Sequence, residues 1–151
     1  MKKSILAIAA LAFMAWGCSG SDDDTPSKPT SFSEGTDPRP TWQVPNFDNY
    51  EEIMTVEVVL QDTLQSYASS ADLLCATIDN EVRGVATPLE RNGQWRFIIT
   101  VASNETGKDI NLLYYCDKLH HIFTSYWGKF DTNTKPTGEG SFYSPKFVVN
   151  E

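Results

Sequence analysis

The sequence predicts an all-β fold: a single antiparallel sandwich of about seven short strands that follows a long non-globular N-terminal stretch. Three observations predict it. Apolar and β-branched residues gather in short runs at about 8 to 15 residue spacing, with turn residues between them. No long stretch repeats its apolar residues at the helical period. Two turn signals, Asp79-Asn80-Glu81 and Asn92-Gly93, fall where a run ends or the next begins.

The strands follow in order. In Ile53-Met54-Thr55-Val56-Glu57-Val58-Val59-Leu60, Val56, Val58 and Leu60 alternate with Thr55, Glu57 and Val59, the pattern of a strand buried on one face. Leu73 to Asp79 and Val82 to Thr87 form a hairpin about their acidic turn. Asn92-Gly93 suits a type I′ turn because both central positions need positive φ, and Trp95 to Val101 follows it as a strand. Asn104 to Asp109, with Gly107 inside it, is the next break. Ile110 to Cys116 and His120 to Thr124 come after it, and Phe147 to Val149 closes the sheet. Tyr126-Trp127-Gly128 and Phe142-Tyr143 lie among turn residues and are read as loops.

The first residues are read as an address. Lys2 and Lys3 precede an uncharged apolar run from Ile5 to Trp16. That run is shorter than the about 20 residues a spanning helix needs, so 1–17 is read as an export signal. Ala15-Trp16-Gly17-Cys18 resembles the lipobox of bacterial lipoproteins, with small residues one and three positions before the cysteine and an unusually large Trp16 between them. The resemblance implies cleavage before Cys18 and lipid on its thiol. Two or more acyl chains anchor stably where one binds only marginally, since each buried methylene adds about 0.8 kcal/mol. Ser19-Gly20-Ser21-Asp22-Asp23-Asp24 resembles the acidic surface-export signal of Bacteroidetes lipoproteins, which implies an outer-membrane protein facing outward, with the periplasmic face as the alternative.

Residues 18–46 carry Pro26, Pro29, Pro38, Pro40 and Pro45 among Ser, Thr, Asp and Gly, and are read as a disordered, lipidated tether. Residues 47–151 are the β-sandwich domain, enough for one core and not two. The formal charge is −8, and without Lys2 and Lys3 it becomes −10. This balance repels phosphate backbones and offers no polybasic patch, so nucleic acid is not expected as a partner and the lipid must do the anchoring.

Asp72-Leu73-Leu74-Cys75-Ala76-Thr77-Ile78-Asp79-Asn80-Glu81-Val82-Arg83-Gly84-Val85-Ala86 resembles a segment of many Bacteroidetes cell-surface proteins, in which an acidic turn leads into Cys-Arg-Gly-Val. Val82 stands where such segments often carry cysteine, and Thr77 where they often carry an aromatic residue. Tyr114 to Leu119 and Thr137 to Pro145 share the character of those domains. The resemblance implies an immunoglobulin-like β-sandwich of mostly unassigned role.

Several constellations bear on chemistry. Cys75 and Cys116 either form a disulfide, permitted after export, or remain buried thiols acting as small hydrophobes. His120 and His121 are adjacent, so in a strand they face opposite sides and do not chelate together. Asp131-Thr132-Asn133-Thr134-Lys135 opens like a calcium loop, but Lys135 takes a ligand position, so no metal or other cofactor is expected. Glu57, Glu81, Glu90 and Glu139 show no spacing that pairs two carboxylates about 5 to 10 Å apart for glycoside hydrolysis, and no enzyme is expected. Asp62-Thr63-Leu64 resembles the O-glycosylation motif of Bacteroidetes exported proteins, which would place a glycan on Thr63.

Aromatic residues remain. Tyr126, Trp127, Phe142 and Tyr143, with Asp131 near them in sequence, are the candidate ligand-binding set, because loop aromatics can stack on sugar rings; the other reading, and the favoured one for Tyr126 and Trp127, is packing beneath their own loop. The expectation is a surface binding module that takes carbohydrate. The alternative is a structural or adhesin-like subunit that meets another surface protein through the same aromatics.

Overall fold

A computed structural model describes residues 32–132 and 145–149. The chain forms two antiparallel sheets packed as an all-β sandwich. Its strands are β1 (Glu52–Val59), β2 (Leu73–Ile78), β3 (Glu81–Ala86), β4 (Pro88–Arg91), β5 (Gln94–Ser103), β6 (Asp109–Cys116), β7 (His121–Lys129) and β8 (Val148–Val149). One sheet has the order β1-β5-β4, the other β3-β2-β6-β7-β8. A short α-helix, α1 (Asp62–Gln65), lies on the crossing from β1 to β2, and a 3-10 turn at Phe47–Asn49 precedes β1.

The alternation read from sequence places the core. Met54, Val56 and Val58 of β1 pair with Val101, Ile99 and Phe97 of β5 and turn inward. Leu74, Ala76 and Ile78 of β2, Ile110, Leu112 and Tyr114 of β6, and Phe123 of β7 meet them from the other sheet. Phe97 meets Tyr114 edge-on at 5.9 Å, and Phe130 and Phe147 are buried with them.

Both predicted hairpins form. Asp79 and Asn80 have φ of 52° and 64°, and Asn92 and Gly93 have 54° and 73°, the left-handed pairs a tight hairpin needs. The strand β4 was not expected from sequence. Its Pro88-Leu89-Glu90-Arg91 lacks a β-branched residue, and pairing with Gln94 to Phe97 alone makes it a strand.

The expectation for Tyr126-Trp127-Gly128 is overturned: these residues continue β7. Asn111 opposes Tyr126 and Ile110 opposes Gly128, so Trp127 is the extra residue of a β-bulge. The bulge and Gly128, at φ 144°, break the alternation that would have shown a strand.

Part of the stretch expected as a tether, 18–46, packs on the domain. Residues 18–31 lie outside the described residues, but from Phe32 onward the chain is docked. The Phe32 ring packs edge-on against Phe123 at 5.1 Å and Tyr67 at 6.1 Å. The amides of Gly35 and Asp37 donate to the carbonyls of Leu119 and His120 in the β6–β7 turn. The Asp37 carboxylate accepts from the Ile122 amide and lies 3.0 Å from His121 Nδ1. Arg39 pairs with Asp117 at 3.1 Å and covers the Tyr115 ring. A side chain at Gly35 would collide with the His121 ring, so only glycine lets the strap lie this close. Composition read this stretch as a tether because the strap adds one large apolar ring and otherwise binds through backbone and charge.

Phe32→Ala is expected to lower stability by about 2 kcal/mol, below a full core truncation because the ring is half-buried. A chain starting at Trp42 should lose at least as much. Urea midpoints equal to the parent's in both chains would show that the strap contributes nothing.

Candidate functional site

Registry across the five-stranded sheet assembles a face that no local stretch contains. On the outward side, Thr77 of β2, Asn111 of β6 and Tyr126 of β7 stand in one cross-strand row. The next row is Cys75, Leu113, Thr124 and Val148. The third, Leu73, Tyr115 and Ile122, ends under the strap, where Arg39 lies over Tyr115. Apart from the fully buried Cys75, the first two rows line a shallow groove of about 400 Å³, which Asn80, Ser125 and Lys146 complete. Strands lie about 4.8 Å apart, so four of them give a groove roughly 14 Å long.

Tyr126 is the aromatic of this face and is 56% exposed. Its hydroxyl donates to Asp109 Oδ1 at 2.9 Å, and Lys129 Nζ donates to the same oxygen at 2.6 Å. The hydrogen bond from Lys129, and after it the one from Tyr126, holds the Asp109 carboxyl below the usual carboxylate range. The phenol is thereby fixed at one edge, and the residue lines the groove. At the same end Lys108 holds Asp79 at 3.1 Å and Glu105 at 3.3 Å.

The candidate set from sequence does not stay together. Trp127 packs half-buried against the core, so it is not a groove residue. Asp131 follows β7 beside Phe130, Gly107 and Lys129, away from the two rows. Phe142 and Tyr143 lie outside the described residues, as do Cys18, Glu139 and Asn133 to Lys135 of the calcium-like loop. Thr63 is exposed on α1, its Oγ1 accepting from Gln61 Nε2 at 2.8 Å. His120 sits exposed in the β6–β7 turn and His121 begins β7. Glu57 pairs with Arg96 on the three-stranded sheet, while Glu81 pairs with Arg83 at the β2–β3 turn. Among the described residues no three His, Cys, Asp or Glu side chains gather as metal ligands.

The open question on the cysteines is decided: both are free and buried. Cys75 stands opposite Leu113, three residues from Cys116, which puts the pair about 10 Å apart along the strand, beyond disulfide reach. They also face opposite ways: Cys116 joins the core and Cys75 underlies the outward row. Burial pushes the Cys75 thiol up to about 12, so it remains protonated and inert.

Sequence reasoning missed a second constellation. Asp72 is fully buried, and four donors converge on its carboxylate. They are the Ser69 amide and hydroxyl, each at 3.0 Å, the Tyr114 hydroxyl at 2.7 Å and the Asp117 amide at 3.0 Å. Burial, and then the Asp72 charge, push the Tyr114 hydroxyl well above its ordinary range, so it stays a donor. The group ties the loop before β2 to the end of β6 and faces no groove. The available signal was Ser69-x-x-Asp72, a local side-chain-to-backbone pattern.

Compared with protein-family models, curated proteins and solved structures, the chain gives no match to any of the three. Among the described residues no helix is long and apolar enough to cross a membrane. The groove's chemistry must therefore be read from its own residues.

Proposed function

We propose that the protein is a lipid-anchored, cell-surface, non-catalytic binding module of the Bacteroidetes type, whose open sheet face takes carbohydrate. The observation that carries this reading is Tyr126: a phenol fixed by Asp109, its ring exposed, in a groove of amides and hydroxyls. A sugar ring offers an apolar face to an aromatic and hydroxyls to Asn and Thr, and this groove supplies both. The anchor on Cys18 accords with it.

A protein-docking role has less support. Ile53 and Ile98, exposed on the three-stranded sheet, are separated by the hydrogen-bonded Thr55–Thr100 pair and flanked by the Arg96–Glu57 ion pair. Ile53 therefore stands apart, while Ile98 joins Val44, Val85, Pro88 and Leu89 in a second shallow groove whose described lining holds no aromatic residue to serve as an anchor.

The test is a glycan array probed with the chain from position 18 carrying Cys18→Ser, beside the same chain with Tyr126→Ala. Saturable binding that falls about tenfold or more in the variant is the expected result, as for a central aromatic anchor. Trp127→Ala should lower stability and leave the affinity of the folded fraction unchanged. An array with no saturable binder would sink the carbohydrate reading and turn attention to a protein partner.

A further inference from the structure

The charges around the groove say which saccharides it favours. The chain is acidic, with 20 acidic residues against 12 basic ones, and its described cations are mostly consumed in pairs. Arg39, Arg83, Arg96, Lys108 and Lys129 each hold a carboxylate. Lys118 donates to the Ala68 carbonyl, and Arg91 stands on β4 in the other sheet. Lys146 is different. Its side chain is exposed, it lines the groove beside Val148, and among the described residues no Asp or Glu lines the groove with it. Asp79, beside the groove residue Asn80, and Asp109, bonded to Tyr126, are already engaged by Lys108 and Lys129.

We infer that the groove selects a saccharide bearing a carboxylate, a uronic acid unit within an otherwise neutral chain, with that carboxylate on Lys146 and a neighbouring ring on Tyr126. The inference rests on the carbohydrate reading above. Sparse charge is part of it. At physiological salt a unit charge is screened beyond about 8 Å, so one carboxylate feels mainly the ammonium it touches. A densely charged polyanion would instead lay many charges along a protein of formal charge −8 and be repelled. The groove is thus suited to one acid group among neutral units.

The experiment uses the Cys18→Ser chain and titration calorimetry against three probes. They are an oligosaccharide of alternating neutral and glucuronic acid units, its carboxyl-reduced neutral counterpart, and a densely sulfated oligosaccharide. The uronate probe should bind about fivefold more tightly than the reduced one, the upper range for an exposed ion pair. Lys146→Gln should erase that difference without changing affinity for the reduced probe, and Lys146→Arg should restore most of it. Tyr126→Ala should weaken both. Equal binding of the uronate and reduced probes would overturn the inference and leave the carbohydrate reading standing. Tightest binding by the sulfated probe would overturn it too, in favour of simple charge attraction. Binding of none of the three overturns the inference, and the array result then decides separately whether the groove takes other sugars.

Discussion

Asp72→Ala is expected to destabilise the fold by about 3 to 5 kcal/mol, the largest effect of any single truncation considered for this chain. The reason is the number of donors left behind. Removing the carboxylate strands the buried Tyr114 hydroxyl, the Ser69 amide and hydroxyl, and the Asp117 amide. A buried polar group without its partner costs about 1 to 3 kcal/mol, and water reaches only some of these. Asp72→Asn should be intermediate, because its NH₂ would face donors on one side while its oxygen keeps the other. Tyr114→Phe removes one donor of the four and should cost about 1 kcal/mol. Thermal unfolding reads all three: for a domain near 100 residues Asp72→Ala should lower Tm by about 15 °C or more. A drop no larger than that of Tyr114→Phe would show that the cluster does not act as one unit.

The second large effect is expected at Gly84. Edge strand β3 there approaches β5 so closely that an added methyl group would overlap the Thr100 carbonyl and crowd Ile99. The neighbour is backbone and cannot swing aside. Gly84→Ala should therefore cost about 3 kcal/mol, at the upper end of overpacking penalties, and Gly84→Val more. Gly93→Ala is the comparison. Gly93 has φ 73° and open space around it, so alanine there meets only backbone strain of about 1 to 2 kcal/mol. A glycine in ordinary backbone should thus tolerate alanine less well than one in the left-handed region. The reverse order in urea unfolding would show that β3 can move off β5. Gly84 also belongs to the Arg83-Gly84-Val85 stretch that carries the sequence resemblance, and close sheet packing is a sufficient reason for glycine there.

Much of the fold was legible because it is written at short range. Period-two alternation in Ile53 to Leu60 and Trp95 to Val101 selects the buried face of each strand without knowledge of its partner. Asn92-Gly93 and Asp79-Asn80 determine their hairpins through backbone sterics alone. The acidic balance and the short apolar run before Cys18 belong to the same class, since charge and hydrophobic length are properties of a segment.

Tertiary structure alone decided the rest. Thr77, Asn111 and Tyr126 share a row through hydrogen-bond register between strands, and register is a pairing property that no single segment carries. Strand pairing separated two neighbouring aromatics, leaving Tyr126 in the groove and Trp127, the extra residue of the bulge, against the core. The strap from Phe32 to Arg39 resembles a linker in composition and becomes part of the domain only where the β6–β7 turn offers carbonyls, Ile122 an amide and Asp117 a charge. Cys75 and Cys116 were compatible with a bridge until register put them on opposite faces. Local physics determined which residues are strands and which side of each is apolar; long-range pairing determined which outward side chains meet, and the proposed binding site consists of those.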